Sequence, residues 1–182
     1  MFGSVGLRLD ELCDIIVGGE VPAGSIKGGH ADQEHLYPIW GNGKDIYGYA
    51  STYTVENDAV CISSIGANTG AVYFHKGKFT PIIRLKVLVP KMEGIDNRFL
   101  FHAVSTVEFA PKKSSVPNMS ANDIKQTIIS IPSLDEQRRI ADILDRFEII
   151  CNDINKGISA EIEARNRQYE FYRDQLLSFE EA

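Results

Sequence analysis

No apolar run in this 182-residue chain approaches the ~18 residues that a membrane span needs. Its start, MFGSVGLRLDEL, has neither a basic segment nor an apolar core. Neither a membrane location nor a secretory leader is therefore expected. The three cysteines, Cys13, Cys61 and Cys151, are scattered and odd in number. That excludes a disulfide framework and fits a reducing, cytoplasmic setting. Catalytic patterns are equally scarce. No glycine-rich stretch has Walker spacing, and Gly18-Gly19, Gly28-Gly29 and Gly41-Asn42-Gly43 read as turns. No G-x-S-x-G elbow occurs. His30 and His35 lack a second pair at metal-ligand spacing, while His75 and His102 are isolated. The Asn/Asp-Pro-Pro-aromatic tetrapeptide of amino-methyltransferases is missing too. The expectation is a non-catalytic protein with no metal or cofactor of its own.

Positive charge is also in short supply. The formal net charge is −6, awkward for a nucleic-acid binder because phosphate contacts need lysine and arginine. The deficit is uneven, however. Residues 1–132 carry 12 Lys/Arg against 13 Asp/Glu, and residues 133–182 carry 7 against 12. The first stretch is near neutral and can still present a local basic face; the acid belongs to the second.

What is present divides at the same place. Up to Pro132 the chain reads as short strands and glycine turns. Leu7–Val17 reads as an opening strand region, and residues 20–36 as a long irregular loop. Short strands are expected near Tyr37–Trp40, Ile46–Tyr49, Ala59–Ile65 and Ala71–Phe74. Ile83, Leu85, Val87 and Val89 alternate with Arg84 and Lys86, the pattern of a half-buried strand. Arg98–Glu108 suits a short amphipathic helix, and Ser120 with Asp123 forms a capping box ahead of a helix over Ala121–Gln126. Trp40 and Tyr47 are expected to fill the core. Thr127–Ile131 is a β-branched strand that Pro132 stops. Ser133 and Glu136 make a second capping box, with Asp135 and Glu136 at the positive end of the helix dipole.

From there Ile140, Leu144, Phe147, Cys151, Ile154, Ile158, Ile162, Arg165, Tyr169, Tyr172, Leu176 and Phe179 follow a heptad-like seam with one long step at Ile158–Ile162. Gly157 lies just before that step, so the spacing predicts two helices meeting there. Such a seam needs a helical partner or a second copy. The fold class is α+β: a β-rich domain, 1–132, then a long-helix region, 133–182.

The segment IPSLDEQRRIADILD resembles the hallmark that closes a target-recognition domain in DNA-specificity subunits of type I restriction–modification enzymes. SAEIEARNRQYEFYRDQLLSF resembles the helical region that follows in them. YPIWGNGKDIYGYAS, CISSIGANTGAVYF and NMSANDIKQTIISIP resemble the variable strands of such a domain. A usual member has two recognition domains and two helical regions; one of each is present here. The resemblance implies a non-catalytic subunit that reads double-stranded DNA. A separate modification subunit would carry S-adenosylmethionine and methylate adenine, and a motor-nuclease restriction subunit is a further partner. The candidate DNA-reading residues are Lys27, Asn42, Lys44, Asn68, Thr69, Lys112, Lys113, Ser114 and Asn118, which are loop amides, hydroxyls and cations. The expected dimer and partner surface is Glu136, Gln137, Arg138, Arg139, Ile140, Leu144, Phe147, Ile154, Ile162, Tyr169, Tyr172 and Leu176. A homodimer built on it would read an inverted repeat. The alternative is a coiled-coil decoy that binds the modification subunit without reading DNA.

Overall fold

The computed structural model of the protein describes residues 4–109 and 118–177, with side chains left out at 155, 166 and 169–177. Strand β1 (Val5–Arg8) is followed at once by a single helical turn, α1 (Leu9–Leu12), and then β2 (Cys13–Val17). The strand expected over Leu7–Val17 is thus broken in two. The reason is burial. Leu9 and Leu12 are both fully buried, and two residues three apart reach the same core from a helical turn, not from one strand. The Glu11 carboxylate accepts the Arg8 N–H at 2.8 Å and closes the turn.

Three sheets follow. β1 pairs antiparallel with β10 (Ile128–Ile131), placing Val5 opposite Ile131. The second sheet runs β2-β9-β6-β7, all antiparallel, with β6 at Ala59–Ile62, β7 at Val72–His75 and β9 at Lys86–Pro90. The third runs β3-β5-β4-β8, with β3 at Ile26–Lys27, β4 at Tyr37–Trp40, β5 at Ile46–Ala50 and β8 at Thr80–Pro81. Here β4 and β8 pair in parallel. Gly48 in β5 could be nothing else, since a Cβ would lie 2.0 Å from the Ile26 carbonyl oxygen.

One face of the second sheet packs Val60, Ile62 and Leu88 against Leu9, Leu12, Leu100 and Ile124. Leu100 lies on α2 (Asn97–Ser105) and Ile124 on α3 (Ala121–Lys125). The other face packs Cys61, Leu85 and Val87 with Phe79, Trp40 and Tyr73. β9 is therefore covered on both sides, and the half-buried strand expected of it is a fully buried one. α2 is capped by Asp96, which accepts the Phe99 N–H, and α3 by the expected Ser120/Asp123 box. Tyr47 packs against a third small core of Ile39, Ala50 and Ile82.

Helix α4 runs unbroken from Leu134 to Leu177, about 66 Å at 1.5 Å per residue. The two helices expected to meet at Gly157 are one. Nothing lies within 4 Å of a Cβ built on Gly157, so the residue costs the helix only its propensity, about 1 kcal/mol against alanine. The chain forms two compact units, Met1–Ala141 and Asp142–Ala182. The fold is α+β, a β-rich unit and a long C-terminal helix, as the sequence implies. Among the described residues, no helix is long and apolar enough to cross a membrane.

Candidate nucleic-acid interface

Four loops and one short segment are tied together at one edge of the β-rich unit, and the Asn42 amide is the knot. In the glycine turn between β4 and β5, Asn42 Nδ2 donates to the Ile83 carbonyl. Its Oδ1 accepts the Ser64 N–H at 2.8 Å and the Ser63 hydroxyl at 3.2 Å. Its main-chain oxygen accepts Asn68 Nδ2 at 3.1 Å. Ser63 and Ser64 are buried, 0% and 3% exposed. On the far side the Met119 N–H donates to the Ser64 carbonyl at 2.9 Å, and Ile65 bridges to Asn118.

The knot grips an unusual backbone. Ile83 and Arg84 have φ of 51° and 60°, left-handed values that a β-branched or bulky side chain rarely accepts. Every main-chain donor and acceptor of the two is engaged. Ile83 N–H donates to Gly19 O at 2.9 Å and Arg84 N–H to Gly18 O at 3.0 Å. Ile83 O takes Asn42 Nδ2, and Arg84 O takes the Ser64 hydroxyl at 2.7 Å. Gly18 must be glycine because a Cβ would lie 2.8 Å from the Ile82 carbonyl oxygen. Such strain, of order 1–3 kcal/mol per residue, persists only where the surroundings over-determine it.

The expected DNA-reading residues divide accordingly. Asn42 is spent on the scaffold, so its amide is not a base reader. Asn68 gives its Nδ2 to the same scaffold, and Thr69 Oγ1 donates to Gly66 O at 2.6 Å within its own turn. Lys44 is exposed in the Asn42 turn. The Lys27 amine lies 5.5 Å from the centre of the Tyr47 ring. Asn118 is exposed beside Ile65. Lys112, Lys113 and Ser114 lie outside the described residues. Sequence reasoning missed Arg84, which it placed in a strand. No residue-type signal marks it, since isoleucine and arginine are the opposite of what a left-handed turn selects.

Three other chemistry-bearing groups in this unit, His75, Cys13 and Cys61, are turned inward. His75 is 6% exposed and stacks on Trp40 at 3.9 Å between ring centres. Burial pushes its pKa down to about 4, so it is neutral at physiological pH. Burial likewise pushes the Cys13 thiol up to about 12 and the Cys61 thiol higher still.

At the start of α4, Gln137 is 1% exposed. Its Oε1 accepts the Asp96 N–H at 2.9 Å, and its Nε2 donates to the Gly94 and Pro132 carbonyls at 3.0 Å. Gln137 is thus removed from the expected partner surface: it fastens the first turn of α4 to the loop before α2. Glu136 gives both carboxylate oxygens to Arg139, which holds its carboxyl below the usual range. Arg138 is exposed. Farther along, Leu144, Phe147, Ile154 and Ile162 are 38%, 61%, 54% and 55% exposed, and Ile140 is half-buried. The side chains of Tyr169, Tyr172 and Leu176 lie outside the described set. Ile158 of the seam is exposed as well, and the exposed Ile143 and Ile150 beside it widen the seam to a stripe of roughly 120° around the helix.

Comparison with known proteins gives a consistent result. The family described as "Type I restriction modification DNA specificity domain" matches residues 5–164. A type I specificity subunit of Mycoplasma pneumoniae is 34% identical over 176 residues, 94% of this chain and 51% of the relative. The specificity subunit of the Escherichia coli type I restriction enzyme EcoR124I/EcoR124II is 37% identical over 101 residues, 52% of this chain and 25% of the relative. The chain thus spans about half the length of the first of these relatives. Among solved structures, one of a type I restriction–modification system concerned with complex assembly aligns with a TM-score of 0.71 at 23% identity. It covers 92% of this chain and 44% of that one. The crystal structure of an S subunit from M. genitalium aligns with a TM-score of 0.65 at 18% identity, covering 91% and 44%. At these identities the structures speak for the fold.

Proposed function

This chain belongs to the type I restriction–modification DNA specificity family, and on that premise we propose that it recognises a DNA sequence for a modification enzyme without catalysing a reaction itself. The observation that carries the reading is the rigid loop edge. Asn42 and the buried Ser63 and Ser64 lock loops from three parts of the chain into one surface. Base readout needs side chains held in fixed register on such a surface. S-adenosylmethionine would be bound by a separate methyltransferase subunit, and a motor-nuclease subunit would join that complex. The acidic helical region is the surface offered to the methyltransferase subunit, with Glu136, Arg138 and Arg139 at its start.

The α4 stripe supports a second part of the reading. A row of isoleucine, leucine and phenylalanine more than one-third exposed is a surface for another helix. We place a second copy of this chain there, related by a two-fold axis so that the stripe buries itself. Two identical, inverted recognition units read an inverted repeat, with a spacer that no side chain reads. The test is co-purification with the methyltransferase subunit encoded alongside, then mapping of methylated adenines. An inverted-repeat target is expected. An asymmetric target would overturn the symmetric dimer and leave DNA recognition standing. A stable complex that methylates no defined sequence would favour the decoy.

A further inference from the structure

Arg84 and Lys86 lie two residues apart at the loop edge. Lys86 begins β9, paired with Val17 on one side and Ile62 on the other. It is 6% exposed and makes no ion pair among the described residues. Two residues back, Arg84 rises from the strained left-handed turn and is exposed. It too makes no ion pair among the described residues. Burial, and then the neighbouring Arg84 charge, hold the Lys86 amine below its usual pKa. A cation withdrawn from water without an ion-pair partner is costly. In a chain of net charge −6, rich in carboxylates, two cations without ion-pair partners among the described residues are notable.

The surroundings of Arg84 form a groove. Arg84 lines a surface groove of about 490 Å³ with Gly18, Gly19, Val21, Ile65 and Ile83. Glu20 also lines it, with no ion pair to Arg84 among the described residues. The Asn42 knot fixes the main chain beneath the guanidinium through Ile83 O and, by way of Ser64, Arg84 O. Strain at a position held so firmly points to a use for the side chain it projects.

We propose that Arg84 and Lys86 together hold one phosphate of the DNA backbone, and that the left-handed turn exists to aim Arg84 at it. The inference rests on the DNA-recognition reading above and adds the clamp that fixes register on the duplex. Arg84 supplies a planar, two-pronged donor, and Lys86 a point charge behind it. Such a contact positions the loops and carries no sequence information itself.

The experiment is a salt titration of binding to a labelled duplex, using the full chain in its methyltransferase complex, with R84G, K86M and the wild type. Glycine takes a φ near 60° freely, so R84G should melt at or above the wild-type temperature. It should nevertheless bind DNA about ten-fold more weakly per recognition unit near physiological salt, with the slope of log K against log salt shallower by about 0.9 per unit, about 1.8 in a two-fold complex. K86M keeps the apolar stem and, if the one phosphate needs both cations, should lose affinity and slope by no more than R84G does. The methylated sequence should stay the same for both. Unchanged slopes in folded variants, with wild-type binding intact, would overturn the clamp and leave DNA recognition untouched. A relaxed target in R84G with an unchanged slope would overturn it too, making Arg84 a base reader. Failure of the wild-type complex to bind DNA at low salt would overturn both readings.

Discussion

The two units of this chain use hydrophobic and polar side chains in opposite ways. In the β-rich unit most apolar residues are enclosed, with Val5, Leu36 and Ile128 among the exceptions, and polar ones hold the structure together: Asn42, Ser63, Ser64 and Gln137 all bond main-chain groups from distant parts of the sequence. Along α4 beyond Ala141, Phe147, Ile150 and Ile154 are 61%, 53% and 54% exposed. Two of its ion pairs, Arg165–Glu161 and Arg167–Glu163, join neighbours one turn apart. The first unit is thus complete as a folded object. The second has helical geometry but an unburied face, and its stability belongs to whatever covers it. On the proposed function, that contrast would separate a reading surface, which must be rigid alone, from an assembly surface, which must be incomplete alone.

The largest effect should come from attacking the incomplete surface. With a two-fold self-buried stripe, each substitution is felt twice. Phe147→Glu with Ile154→Glu should weaken self-association by about 4 kcal/mol or more, roughly a thousand-fold. The β-rich unit should keep its melting transition. Sedimentation equilibrium reads the first quantity and calorimetry the second. A dimer that survives both glutamates would dissolve the contrast, because the exposed stripe would then have no partner to lose.

A smaller effect tests the completeness of the first unit. His75 has a folded-state pKa of about 4, pushed down by burial between Trp40 and Phe79. Its unfolded value is ordinary, about 6.5. Above pH 6.5 both states are neutral and the group contributes no pH dependence. Between about 6.5 and 4 the unfolded state takes up a proton that the folded state refuses, so stability falls as pH drops. The full loss is about 3 kcal/mol, at 1.36 kcal/mol per unit. Denaturant unfolding at several pH values should show this slope, and His75→Phe should flatten it. A slope that survives the substitution would place the acid sensitivity elsewhere.

These regions were also unequally legible. Strands β4 to β7 followed from alternation and glycine turns, and α3 from the Ser120/Asp123 box, because those signals are local and sit in adjacent residues. The start of α4 followed from Pro132 and the acidic first turn. What escaped was set by tertiary partners. α1 interrupts a strand pattern because Leu9 and Leu12 share one core. The Ile83–Arg84 turn contradicts its own residue types and is imposed by Asn42, Gly18 and Gly19. Asn42 itself resembles a reader on a loop until its bonds are counted. Gly157 resembles a helix end, yet one unfavourable residue does not break a helix that propagates on both sides.

At intermediate size, Gln137→Ala should cost about 2–3 kcal/mol of unfolding free energy. It would leave the Asp96 N–H and the Gly94 and Pro132 carbonyls, bonded in the wild type, without partners in a dry site. Thermal unfolding measures this directly. A loss under about 0.5 kcal/mol would mean that water replaces the amide and that the helix start is less firmly fastened than its burial implies.

The smallest effect sharpens the comparison most, because it concerns a side chain with a similar number of bonds. Arg165 donates to Glu161 at 2.9 Å and to Gln168 at 3.2 Å, and the Arg165 and Glu161 side chains are 72% and 64% exposed. In water these contacts replace equally good ones with solvent, and ordering two long side chains offsets most of the gain. Arg165→Ala should therefore change unfolding free energy by no more than about 0.5 kcal/mol, with the helical circular-dichroism signal kept. Arg165 also occupies the one polar position in the seam, where a charge would have to be accommodated between paired helices. If the two-fold dimer buries that position, alanine there should strengthen self-association even while monomer stability is unmoved. An effect on monomer stability as large as that of Gln137→Ala would show that the exposed helix is held by its own polar network. The division between a complete and an incomplete unit would then be wrong.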